Sequence, residues 1–386
     1  MSSTQRPSLG IGMIGHAFMG RAHSHAWRSV DAAFELPVRP VLSVLAGRDA
    51  GRAEAAAARL GWAHAVGDWR ALLERDDVDL IDICTPGDSH AEIAVAALQA
   101  GKHVLCEKPL ANTVAEAEAM AAAAERAATR GVRSMVGFSY RRVPALALAR
   151  NLVAQDRIGT IRHVRAQYLQ DWLADPQAPL SWRLDRDRAG SGALGDIGAH
   201  IIDATQFVTG ETLTGVSALL DTFVTERPHP EGPGRGPVTV DDAALFLGRL
   251  SGGGLASFEA SRVATGRKNA LRLELNGTRG SLAFDLEEMN VLWFHDNTES
   301  ADTAGFRRIL VTEPRHPYAG AWWPPGHALG YDHAFTNQIA DLIIAIAAGK
   351  DPEPGFADGL GVQRVLAAVQ ASAAAQGRWT STGAPS

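Results

Sequence analysis

Through the first third of the chain, short apolar runs alternate with longer amphipathic stretches. Leu9 to Ile14 predicts a buried strand, and the residues after it predict a helix running through Trp27. Pro40 to Ala46, Val78 to Cys84, Val104 to Cys106 and Ser134 to Phe138 predict four more strands. Between them, Ala50 to Leu60, Ala91 to Ala100 and Thr113 to Thr129 carry helical patterns, the middle one closed by Gly101 as a C-cap. Strand and helix alternating over about 140 residues imply a doubly wound parallel sheet.

After Phe138 the period changes. A helix, Pro144 to Gln155, is followed by strand-like runs at Ile161–Leu169, Thr214–Val224, Ala243–Leu250, Gly254–Ala260, Leu271–Asn276, Gly280–Phe284 and Val291–Phe294. Closely spaced strands joined by glycine-containing turns, such as Ser251 to Gly254 and Gly277 to Gly280, imply a mainly antiparallel sheet. The Pro/Gly-rich stretch Arg227 to Pro237 reads as a long loop, and Gly383 to Ser386 as a frayed end. Two helices, Ala334 to Ala348 and Phe356 to Gln376, close the chain. The expected class is therefore α/β plus α+β. An N-terminal Rossmann-type domain covers 1–138, and a domain with an open, mainly antiparallel sheet covers 139–386.

Length and composition narrow the function. A chain of 386 residues exceeds one ordinary core. With 46% apolar residues, 21% charged and a net charge of −6, it offers no electrostatic case for nucleic acid or an anionic membrane. The two cysteines, Cys84 and Cys106, lie in apolar runs and read as buried thiols, which suits a cytoplasmic location. No zinc-like spacing occurs, so no metal is expected. Met1 to Ser8 lacks the apolar core of a signal peptide, and no run approaches membrane-spanning length.

Candidate chemistry gathers where the predicted parallel strands end, since open α/β sheets place ligands at that edge. Gly15-His16-Ala17-Phe18-Met19-Gly20 joins the first strand to its helix as a dinucleotide-binding turn would, with Ala17 where a glycine is expected. The second strand ends at Gly47-Arg48-Asp49, where no acid waits for a ribose. Arg48 suits either a 2′-phosphate or the face of the adenine, and Asp49 suits a helix start, so the cofactor reads as NAD(P). The third ends at Thr85-Pro86 with His90 beyond, either a cofactor contact or a helix-start histidine. The fourth ends at Glu107-Lys108-Pro109. Proline pushes Lys108 out of helical geometry, leaving either a solvated turn lysine or one that brings charge to a reacting hydroxyl. In the second part, Asp196 and His200 stand four residues apart on a predicted helix. They read as a pairing that lets a carboxylate fix an imidazole's tautomer, as an N-terminal acid with a core histidine, or as half of a metal site. The last is disfavoured because no second set of ligands clusters nearby.

In combination, Gly15 to Gly20, Thr85-Pro86 with His90, Glu107-Lys108-Pro109 and Gly195-Asp196-Ile197-Gly198-Ala199-His200 resemble the glucose–fructose oxidoreductase/inositol dehydrogenase (Gfo/Idh/MocA) family. Tyr168 to Trp172, Leu180 to Arg183, Ala189 to Asp196, His316 to Tyr318 and Leu329 to Tyr331 are similar to its bacterial levoglucosan dehydrogenase branch. The resemblance implies a nicotinamide-dependent oxidoreductase that oxidises a secondary hydroxyl of a cyclic sugar or polyol. Lys108 and His200 would be the acid/base pair and Asp196 the orienting group. It also implies a cis bond before Pro109. Gly15, Ala17, Phe18, Met19, Arg48, Thr85, Pro86, His90, Glu107, Lys108, Trp182, Arg183 and Tyr331 would lie along the cofactor. Tyr140, Gln170, Asp171 and Trp172 would meet the substrate, and Ser139 departs from the family's usual asparagine. A homodimer or homotetramer is implied. A lyase or glycosidase with a transient internal oxidation, and a non-catalytic sugar sensor, are the competing readings.

Overall fold

The computed structural model describes residues 6–383. In chain order the first elements are β1 (Ser8–Ile14), α1 (Phe18–Ala33), β2 (Arg39–Ala46), α2 (Ala50–Leu60), β3 (His64–Val66), α3 (Arg70–Leu73), β4 (Leu80–Ile83), α4 (His90–Gln99), β5 (His103–Cys106), α5 (Val114–Ala128) and β6 (Ser134–Val136). The strands form one sheet in the order β3-β2-β1-β4-β5-β6, and every neighbouring pair is parallel. The order reverses direction between β1 and β4, and that crevice is where a doubly wound sheet accepts a ligand. β4 is buried throughout, as a central parallel strand covered on both faces must be.

There follow α6 (Pro144–Ala154), β7 (Ile161–Leu169), α7 (Arg186–Ala189), α8 (Ala199–Thr209), β8 (Leu213–Asp221), β9 (Glu226–Pro228), β10 (Arg235–Pro237), β11 (Ala243–Leu250), β12 (Leu255–Ser261), β13 (Ala270–Gly277), β14 (Gly280–Asp285), β15 (Val291–Asp296) and β16 (Arg307–Leu310). The chain ends with α9 (Tyr331–Ala347), α10 (Phe356–Ala374) and β17 (Thr380–Ser381). The large sheet runs β16-β15-β14-β13-β7-β12-β11-β8-β17, antiparallel except for β7 beside β12. Along β11 burial alternates. Phe246 points inward and stacks on Phe258 of β12 at 4.5 Å, while Leu245 and Leu247 point outward.

Two compact units result. One comprises the chain up to Ala111, Ala115–Ser139 and Gly330–Leu360, and the other comprises Asn112–Val114, Tyr140–Leu329 and Gly361–Ser386. The division therefore differs from 1–138 and 139–386, because Gly330–Leu360 returns to the parallel sheet. The cause is α9, whose Phe335, Ile339, Leu342 and Ile343 join the core built from α1 and β1.

Two local expectations also change. Arg227 to Pro237 is not simply a long loop, since β9 and β10 pair there as a hairpin. Arg227 is fully buried, its guanidinium donating to the Leu173 and Asp175 carbonyls at 2.6 and 2.8 Å. The helix beyond Asp196 is not uniformly α, because Leu194–Gly198 forms a π-helical turn before α8. The expected frayed end falls mostly on 384–386, outside the described residues. Among the described residues, no helix is long and apolar enough to cross a membrane.

Candidate active site

In the first unit, the turn after β1 has the shape a dinucleotide requires. Gly15 has φ +98°, and a Cβ there would lie 2.8 Å from the Cys84 carbonyl oxygen. A Cβ on Gly20 would lie 2.2 Å from the Gly15 carbonyl oxygen, so glycine lets α1 start hard against the turn. Ala17 is the N-cap of α1 at φ −75°, a conformation any residue adopts, which is why alanine serves there. No side chain caps this helix, so its first N–H groups and positive dipole end face outward, as anion binding needs. Phe18 is 52% exposed and stacks near Tyr331 of α9, while Met19 packs inward on the core. These residues fit a dinucleotide. Asp49 accepts the Arg52 N–H at 2.9 Å as N-cap of α2, leaving exposed Arg48 as the charged group at the β2 edge.

Lys108 is half-buried beyond β5, and the Lys108–Pro109 bond is cis. Buried histidines stand on either side of this turn. His90 bonds the Pro109 carbonyl through Nδ1 at 3.1 Å and the Thr85 carbonyl through Nε2 at 2.9 Å. It is 1% exposed and braces the two loops that end β4 and β5. His23, which the sequence reading did not single out, bonds Asp82 through Nδ1 at 2.9 and 3.0 Å and Glu107 through Nε2 at 3.0 Å. Trp27 Nε1 donates to Asp82 at 2.7 Å. His23, Asp82 and Cys84 also satisfy metal-ligand spacing. Their donor atoms are already spent on one another, and burial pushes the Cys84 thiol up to about 12, away from the thiolate a metal wants.

In the second unit, the π-helical turn and α8 are anchored at their start by Asp241. Its carboxylate accepts the Gly192 and Leu194 N–H groups at 2.7 and 2.8 Å. Burial raises its pKa, against the pull of those two N–H groups. A Cβ on Gly192 would lie 1.8 Å from the Asp241 carbonyl oxygen, so only glycine passes. Asp196 faces Arg262, Oδ2 to Nη1 at 3.6 Å. Arg262 is fully buried and also donates to the Asp241 carbonyl at 3.1 Å. It was not foreseen, since an arginine at a strand end carries no distinguishing pattern.

The His200 ring lies 4.6 Å from the Tyr140 ring and 5.8 Å from that of Tyr168. A chain of hydrogen bonds runs beside it. Tyr140 and Tyr168 hydroxyls meet at 2.8 Å, and Tyr168 donates to Asn269 Oδ1 at 2.7 Å. Gln170 donates to the same oxygen at 2.7 Å, and Trp172 donates to Gln170 at 3.0 Å. Tyr140, Gln170 and Trp172, expected at the substrate, are thus brought together with His200, and Asn269 is the member missed. Asp171 is drawn aside, accepting Lys268 at 2.7 Å and the Gly266 N–H at 3.1 Å. The Lys268 bond holds its carboxyl below the usual range. Arg183 stacks over Trp182 at 4.5 Å.

A parallel sheet with this glycine turn and uncapped helix is the architecture of a dinucleotide-binding domain. Residues 9–138 match the model described as "Oxidoreductase family, NAD-binding Rossmann fold", and residues 146–283 match "GFO/IDH/MocA C-terminal domain". Levoglucosan dehydrogenase of Pseudarthrobacter phenanthrenivorans is 41% identical over 95% of this chain and 96% of its own. An oxidoreductase domain protein from Kribbella flavida superposes with TM-score 0.96 at 69% identity, over 98% of this chain and 100% of that one. A levoglucosan dehydrogenase complex with NADH and levoglucosan superposes with TM-score 0.93 at 41% identity, with the same coverage. The chain belongs to the GFO/IDH/MocA oxidoreductase family.

Proposed function

We propose that this chain oxidises a secondary hydroxyl of a cyclic sugar or polyol, of the levoglucosan or inositol type, to a ketone. The observation that carries the proposal is the setting of His200, a nearly buried imidazole flanked by two tyrosine rings and a hydrogen-bonded polar chain. Stacking faces beside aligned amide and hydroxyl groups suit a sugar ring. An imidazole suits proton removal from its hydroxyl near neutral pH. His200 takes the proton, and Asp196 helps to orient the helix segment that carries it. Lys108 donates to the reacting oxygen and lowers the cost of the charge developing there. NAD(P), held by Gly15, Ala17, Phe18 and the N-terminus of α1, supplies the hydride acceptor. The test is a panel of anhydrosugars, inositols and pyranosides assayed at 340 nm with NAD and with NADP. Steady accumulation of reduced nucleotide on one ring class supports the reading. Product formation with constant absorbance would replace it with an internal oxidation–reduction cycle.

The outward face of the large sheet supports assembly with a second copy of the chain. Leu219, Leu245, Leu247 and Leu255 lie on it with exposures of 66, 50, 60 and 53%, and Leu219 and Leu245 are directly paired. Four exposed leucines on one sheet face, interspersed with Ser217, Ser257 and Glu259, are costly to leave in water. Leu245→Glu with Leu247→Glu is expected to reduce the mass measured by light scattering. A wild-type mass equal to one chain would end the proposal.

A further inference from the structure

Between α1 and the ends of β4 and β5 lies a polar cluster sealed from solvent. His23 and Asp82 are fully buried, and Glu107 is 4% exposed. Asp82 is surrounded by donors: His23 Nδ1, Trp27 Nε1 and, at 3.6 Å, the Cys84 thiol. An acceptor so surrounded is a carboxylate, and the ring nitrogen facing it carries a proton. The other nitrogen, Nε2, faces Glu107 Oε1, whose second oxygen accepts the Lys108 N–H at 3.3 Å. Gly137, past the end of β6, makes room for this carboxyl, since a Cβ there would lie 2.7 Å from Oε1. Two buried carboxylates therefore flank one imidazole, one on each nitrogen.

We propose that His23 is a positioning residue, kept as an imidazolium between Asp82 and Glu107. Through Nε2 it holds the Glu107 side chain in place, so that the second oxygen of that side chain fixes the backbone of the lysine turn. The argument rests on the role given to Lys108 above. Burial is the largest single influence and lowers the pKa of the ring, but Asp82 and the Cys84 sulfur together raise it further and the net shift is well upward. The remaining neighbours are the buried Cys106 thiol beside Glu107 and the Phe335 ring, 5.5 Å from His23. Removing the ring would release the Glu107 side chain. The turn would then lose one of its anchors, keeping only the His90 bond to the Pro109 carbonyl, and misplacing a catalytic group by an ångström can cost about 10²-fold in rate.

The decisive measurement uses the full chain with bound NAD, labelled with ¹⁵N at histidine. The His23 ring is assigned by its NOE to Phe335. Two protonated ring nitrogens from pH 6 to 8.5 are expected, and a single one at pH 7 would overturn the proposal. His23→Gln is expected to lower kcat about 10²-fold at pH 7, with sugar KM and NADH Kd within a few-fold of wild type. Adding Glu107→Gln to it should lower kcat little further, since both changes release the same anchor. Wild-type turnover in His23→Gln, or losses that multiply in the double variant, would also overturn it. Should His23→Gln not fold, the ring measurement still decides. Failure of the Lys108 reading would show separately, as undiminished turnover in Lys108→Ala.

Discussion

Arg141 and Asp203 form a buried ion pair at the base of α8, one turn beyond His200. Arg141 Nε lies 3.1 and 3.0 Å from the two carboxylate oxygens, and Nη2 lies 2.5 Å from Oδ1. Their side chains are 9% and 4% exposed, so water cannot replace either partner. Arg141→Met removes the cation, keeps much of the side-chain volume, and takes from the buried carboxylate its bidentate guanidinium. Removing one partner of such a pair costs about 3–5 kcal/mol, a large share of the roughly 5–15 kcal/mol that holds a domain folded. Asp203→Leu strands the guanidinium instead and costs a similar amount. The double variant removes both charges of the pair together, so its loss should fall below the sum of the single losses, giving a coupling energy of at least about 2 kcal/mol. Urea unfolding followed by circular dichroism reads all four corners of the cycle, with unchanged m-values confirming a common transition. A loss under 1 kcal/mol in Arg141→Met, or a double variant that simply adds the two singles, would refute the reasoning.

Three further outcomes follow from the site. Lys108→Ala should lower kcat by about 10²–10³, the usual loss of one charged donor at a developing oxyanion, with NADH binding by calorimetry unchanged; intact turnover would remove Lys108 from the chemistry. Arg48→Ala should weaken NADP binding more than NAD binding, and equal losses in both would show that Arg48 does not meet a phosphate. His103 accepts the Arg133 N–H on Nδ1 at 2.9 Å, so its folded form is neutral, and burial lowers its pKa below 6.5. Its contribution to stability is therefore present above 6.5 and lost as pH falls below that value. His103→Gln should flatten the acid side of the melting profile between pH 6.5 and 5, and an unaltered slope would exclude His103 as the source.

Much of the architecture was legible in one dimension. Alternation of apolar runs with helical stretches specified the parallel sheet, because a strand buried on both faces must be continuously apolar. Ile161–Leu169 and Ala243–Leu250 carry strand bounds that coincide with β7 and β11. The glycine turn and Asp49 as a helix cap were equally accessible, because each is a local geometric demand written in one or two residue types, whereas the cis bond before Pro109 was readable only through family likeness. The Tyr140, Gln170, Trp172 and His200 grouping was readable only through family likeness.

What tertiary structure alone decided is the set of partners that lie far apart in sequence. His23 meets Glu107 across 84 positions and Asp82 across 59. Asp241 caps a helix that begins nearly fifty residues earlier, and Arg262 reaches Asp196 from a strand end. The return of α9 to the first unit is of the same kind. A sequence specifies which surfaces are apolar and where backbone must turn, since those depend on a residue and its near neighbours. It does not specify which buried polar group will satisfy which, because burial removes water as the default partner and leaves the choice to packing.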